Sequence, residues 1–126
     1  MSTENVDRVR AAIDALNGSG WDPDAVIPHF DPGAVHYPFP DWPGLDRYEG
    51  AEGLRTLMDE WTQSFDELHW EVVRLIDEED RVVARIQQHG RARGSGVPAE
   101  TEVSAVFGRI GPNGIGETRY WFGWEP

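Results

Sequence analysis

Arg81-Val82-Val83-Ala84-Arg85-Ile86-Gln87-Gln88-His89 is the stretch from which the fold can be read. Successive side chains of a strand leave opposite faces, so alternate residues separate into two rows. Val82, Ala84, Ile86 and Gln88 make one row, and Val83, Arg85, Gln87 and His89 the other. The first row is expected to face a core. Gln88 ends that row, where an interior would open, and is therefore a candidate ligand contact; the plainer alternative is a glutamine satisfied by backbone or water at the sheet rim. Leu68 to Ile76, Arg81 to Arg93, Thr101 to Ile110 and Ile115 to Trp124 are rich in β-formers. Asp77-Glu78-Glu79-Asp80, Gly94-Ser95-Gly96 and Gly111-Pro112-Asn113-Gly114 separate them. Such short connections predict four antiparallel neighbours.

Upstream the period changes. Val6, Val9, Ile13 and Leu16 recur at helical spacing after Ser2, Thr3 and Glu4, and Asn17-Gly18 supplies a left-handed stop. Asp22-Pro23-Asp24 opens a short second helix carrying Val26 and Ile27, expected to end at Asp31-Pro32-Gly33. Ala34 to Tyr37 then reads as a short strand stopped by Pro38. The loop Pro38-Phe39-Pro40-Asp41-Trp42-Pro43-Gly44 is stiffened by its prolines, and Phe39 and Trp42 require apolar surroundings. Leu54, Leu57, Met58, Trp61 and Phe65 predict a third helix from about Ala51 to Phe65. Helices first and a meander of strands afterwards make an α+β fold, with the helices on one face of a curved antiparallel sheet.

The 126 residues suit one domain, 1–126, with one core. The formal charge is −12 and every basic residue is arginine, a field that repels a phosphate backbone, so no nucleic-acid partner is expected. No run of about 18 apolar residues is present and residues 1–10 are polar, so no membrane span or secretory signal is expected and the reading is cytoplasmic. With no cysteine, any chemistry must use other side chains. His29, His36, His69 and His89 lack the spacing that zinc ligation favours, and no metal or organic cofactor is implied.

The order of elements, with Ala15-Leu16-Asn17-Gly18, Phe30-Asp31-Pro32, Tyr48-Glu49-Gly50 and the segment Gly90 to Gly96, resembles the SnoaL-like polyketide cyclase and ketosteroid-isomerase group of the nuclear transport factor 2-like superfamily. The resemblance implies a cone-shaped fold with a deep pocket, commonly in homodimers. It does not imply one activity, because the fold hosts isomerases, cyclases, hydrolases, dehydratases and inert binding domains. A ketosteroid isomerase needs a carboxylate base and two acidic hydrogen-bond donors aimed at an enolate oxygen. By this alignment these positions fall on Tyr37, Ala12 and Val106, so all three roles are missing. The cyclases' acid/base carboxylate belongs to the last strand, where only Glu117 is available, near the hairpin turn.

Taken together, these readings predict a pocket for a small hydrophobic or aromatic molecule, lined by Tyr37, Met58, Trp61, Ile86, Gln88, Ser104, Val106, Arg119 and Trp121. Phe39 and Trp42 would form a partial lid. Neighbours on a strand point oppositely, so Tyr37 or His36 turns inward; Tyr37 is favoured as acid/base, with His36 as the alternative because imidazole titrates near neutrality. Gln88 or Arg119 would polarise a carbonyl or hold an anion. The expected activity is isomerisation, cyclisation or water addition and removal on a carbonyl compound, against a non-catalytic binding or interaction domain of the same fold. A homodimer is expected through the outward Arg85, Gln87 and His89 row.

Overall fold

The protein was analysed as a computed structural model, which describes residues 2–124, apart from the side chains of Ser2 and Thr3. The elements are α1 (Ser2–Gly18), α2 (Pro23–Val26) with a 3₁₀ turn (Ile27–His29), β1 (Phe30–Tyr37), β2 (Tyr48–Glu49), α3 (Gly50–Thr62), β3 (Phe65–Asp77), β4 (Arg81–Ala92), β5 (Pro98–Gly108) and β6 (Ile115–Phe122). They build one six-stranded sheet in the order β2-β1-β6-β5-β4-β3.

The meander β3 to β6 is antiparallel, as its short turns dictate, and Ala84 pairs with Ala105, which pairs with Tyr120. β1 joins β6 in parallel, so the sheet is mixed. Asp31-Pro32-Gly33 lies inside β1 instead of closing a helix. The register shift between Phe30 and Val35 explains how a proline is accommodated there, since the ladder needs no amide from it. Helix α3 stops at Thr62, and Phe65 opens β3, so the last member of the predicted helical stripe belongs to the sheet.

The row Val82, Ala84, Ile86 and Gln88 faces the helices and is buried, together with Val103, Ala105 and Phe107 of β5 and Thr118 and Tyr120 of β6. Val9, Ala12, Ile13 and Leu16 of α1 and Leu54, Leu57, Met58 and Trp61 of α3 close over that face. Asn17 both ends the helical pattern and anchors it. Its side-chain amide donates to the Trp70 carbonyl at 2.8 Å and its oxygen accepts from the Trp70 amide at 2.9 Å, replacing a missing strand neighbour at the β3 edge. Trp21 follows with φ 66°, an uncommon conformation for a bulky residue. Its amide bonds to the Leu16 carbonyl at 2.8 Å, and its indole lies edge-on to Trp61 and Trp70 at 5.6 and 5.3 Å. Burial of the ring thus holds a backbone state that costs on the order of 1–3 kcal/mol.

Candidate functional site

Gln88 leaves the inner face of β4 at the open end of the sheet and is 5% exposed. Its Oε1 accepts two hydrogen bonds, from Trp61 Nε1 at 3.1 Å and Trp70 Nε1 at 2.9 Å. An indole N–H can only donate, so the two rings fix which end of the carboxamide they meet. The amide nitrogen is left on the other side. Gln88, Trp61, Thr101 and Phe122 line a cavity of about 560 Å³ with the Phe39–Gly44 loop and Glu60. We call this the mouth cavity.

The loop is fastened by aromatic and polar contacts. Phe39 stacks on Phe122 at 4.1 Å and meets Trp61 edge-on at 5.1 Å. Trp42 Nε1 reaches Glu60 Oε1 at 3.0 Å and the Tyr48 hydroxyl at 3.1 Å, while Tyr48 donates to the same Glu60 oxygen. The Leu45 amide donates to the Tyr48 oxygen at 2.9 Å. Burial, then the hydrogen bond to the Glu60 carboxylate, raises the Tyr48 hydroxyl above the ordinary phenol value, so it remains the donor. Gly53 lets α3 lie against this network, because a Cβ there would come within 2.8 Å of the Tyr48 carbonyl carbon. Glu60 and Tyr48 escaped the sequence reading: Glu60 stands on a solvated helix flank by pattern, and only the spatial return of the loop brings it to Trp42.

Deeper in the fold a second cavity is nearly filled. Trp21, Met58, Trp61, Trp70 and Tyr120 contribute to its walls, and its volume is about 40 Å³. An engineered cavity that takes benzene is of the order of 150 Å³, and small-molecule sites run from about 300 to 1,000 Å³. The interior therefore has room for water-sized molecules, and the mouth has room for an organic one. Burial holds the Tyr120 hydroxyl up at about 12, so it is neutral.

Of the predicted residues, the structure brings Phe39, Trp42, Trp61 and Gln88 together at the mouth and puts Met58 and Trp61 on the interior cavity. Ile86 is fully buried core. Ser104, Val106, Arg119 and Trp121 do not line the interior. Val103, Ala105 and Phe107 are the buried row of β5 and Thr118 and Tyr120 that of β6, so strand alternation sends the other four to the outer face. There Val106 pairs with Arg119 and Ser104 with Trp121. Tyr37 is likewise turned from the interior, its half-buried ring lying 3.9 Å beneath the Arg119 guanidinium. His36 takes the buried position because Ala34 and His36 are the β1 residues that α3 covers. Burial lowers its imidazole to about 4, and its Nδ1 lies 2.8 Å from the Thr118 hydroxyl.

The comparisons with known proteins bear on this geometry. The sequence pattern of the SnoaL-like domain matches residues 9–110. The chain belongs to the SnoaL-like domain family. A protein of this family group assigned as a SnoaL-like polyketide cyclase, from Jannaschia, superposes on the SnoaL-like chain with a TM-score of 0.80 at 21% identity, covering 96% of this chain and 86% of that one. A protein with a ketosteroid isomerase-like fold from Catenulispora acidiphila, solved with trimethylamine, gives 0.76 at 14% identity over 94% and 97% of the two chains. A nuclear transport factor 2-like protein of unknown function from Burkholderia pseudomallei gives 0.80 at 15% identity over 94% and 90%. No curated protein matches the SnoaL-like chain by sequence. At these identities the structures establish the fold. Among the described residues of the SnoaL-like chain no helix is long and apolar enough to cross a membrane.

Proposed function

We propose that this SnoaL-like protein binds a small planar carbonyl compound in the mouth cavity and moves a proton on it, in the manner of an isomerase or cyclase. The observation that carries the reading is the double indole contact to Gln88 Oε1, which leaves the carboxamide nitrogen as a donor beside a cavity of about 560 Å³. Such a donor polarises a carbonyl and stabilises the oxygen as it gains charge. Glu60 supplies a carboxylate on the wall of the same cavity, able to take a proton from the carbon next to that carbonyl. Trp42 and the exposed Phe122 offer flat faces to the ring system. No cofactor is needed for these steps.

A specific observation favours a second reading, binding without turnover. Glu60 Oε1 already receives Tyr48 and Trp42, as a carboxylate would if its purpose were to hold the loop. α-Tetralone in deuterium oxide distinguishes the two, because its protons next to the carbonyl exchange only through an enolate. Exchange accelerated by the wild type and abolished in Glu60→Gln supports turnover. A saturable thermal shift without acceleration supports binding alone. Neither acceleration nor shift would refute both.

The same proposal includes a homodimer formed through the outer sheet face. Trp121 is 42% and Val73 49% exposed there, beside Arg119 and Arg85, whose Nε is buried without a partner. Light scattering that finds only monomer at working concentration would contradict it.

A further inference from the structure

A second recess lies on the other flank of α3, between β1, the start of that helix and the β5–β6 turn, with a volume of about 480 Å³. Three features coincide in it. His36 lines it, is fully buried, and has an Nε2 without a hydrogen-bond partner. Buried polar atoms are rarely left unpaired where no ligand or water meets them.

The start of α3 provides the second feature. No side chain caps this 13-residue helix. Gly50 opens it at φ 68°, and the preceding Glu49 carboxylate is taken by Arg47 at 2.9 Å. The first helical amides therefore have no side-chain acceptor, and Gly50 and Ala51 line the recess. Free amides and the positive end of the helix dipole favour an anion. The third feature is the floor, where Phe30 and Leu54 supply apolar surface.

We infer that this recess is a binding site for a small monocarboxylate with an apolar body, held by the His36 ring N–H and the first amides of α3. The inference is independent of the mouth cavity. The Thr118 hydroxyl lies 2.8 Å from Nδ1 of His36. The tautomer that serves the site has the Thr118 hydroxyl donating to Nδ1 and the imidazole proton on Nε2. Asp31 lies on the rim, its Oδ1 accepting from the Gly33 amide at 2.8 Å. Its charge opposes any anion, which selects against polyanions and gives the site a signed test.

Sodium benzoate is titrated into ¹⁵N-labelled protein at constant ionic strength. The expected result is a saturable shift of the Ala51 and Glu52 amides and of the His36 ring nitrogens. His36→Phe weakens binding by about tenfold, the loss of one charge-assisted hydrogen bond. Asp31→Asn tightens it by about threefold, a direction that general damage does not produce. Gln88→Ala leaves the Ala51 shift in place, so failure at the mouth and failure here are separable. Absence of saturation at Ala51, shifts confined to the Gln88 side of the molecule, or an unchanged affinity in both Asp31→Asn and His36→Phe would overturn the site. Should His36→Phe fail to fold, the sign of the Asp31→Asn effect decides alone.

Discussion

The interior cavity and the mouth cavity share Trp61 as a wall, yet the first has closed to about 40 Å³ and the second is open at about 560 Å³. The difference lies in what each side of that indole meets. On the inner side Trp21, Trp70 and Tyr120 pack against it at 5.6, 5.7 and 5.2 Å between ring centres, and aromatic rings in edge contact leave little space. Towards the mouth it meets Phe39 and Trp42, carried by a proline-stiffened loop that cannot collapse inward. The same fold thus places its space according to which aromatic residues line it. In this chain a ligand is expected at the rim of the cone.

The largest effect that would break this contrast is the loss of the shared wall. Trp61→Ala should cost about 3–5 kcal/mol in a urea unfolding series and join the two cavities. The next concerns His36, buried on β1 away from both cavities. His36 has an ordinary value of 6.5 when unfolded and about 4 when buried, so as pH falls through this window the unfolded chain takes up the proton first. Stability that is fully present above 6.5 is lost progressively as pH falls through 4, by about 3 kcal/mol in total. Urea midpoints from pH 7.5 to 4 should show this loss in the wild type in excess of that in His36→Phe.

The contrast sharpens with smaller changes at the rim. Gln88→Leu leaves two buried indole donors without their acceptor, at a cost of about 2 kcal/mol, and removes the donor to the mouth; calorimetry with α-tetralone should show binding lost. Tyr48→Phe removes the hydroxyl that gathers Leu45, Trp42 and Glu60, worth about 1 kcal/mol, and should loosen the loop enough to weaken the ligand a few-fold.

Much of this arrangement was legible in the sequence because it follows from periodicity. The row Val82, Ala84, Ile86, Gln88 predicted the inner face of β4, and the spacing of Leu54, Leu57, Met58 and Trp61 predicted the covering face of α3. What failed was parity in β1, β5 and β6, where Arg119 and Trp121 also face outward. Tyr37 and His36 are neighbours of comparable polarity, and only contact with α3 decides that the imidazole is the buried one. Ser104 and Val106 were placed inward although the alternating Val103, Ala105 and Phe107 are equally apolar, a tie that strand pairing breaks. Nothing local in the sequence could foresee the Tyr48–Glu60–Trp42 network, because its members come from a strand, a helix and a loop that meet only in the folded chain. Pocket size was equally invisible, since it depends on how four large rings divide one volume.

The central claim is that Gln88 offers its carboxamide nitrogen to a carbonyl in the mouth. The side-chain NH₂ resonances of Gln88, followed in ¹⁵N-labelled protein during an α-tetralone titration, test it directly. The account predicts saturable movement of both protons together with the indole N–H of Trp61, which shares the same carboxamide. Saturable binding that leaves the Gln88 NH₂ signals unmoved would contradict it.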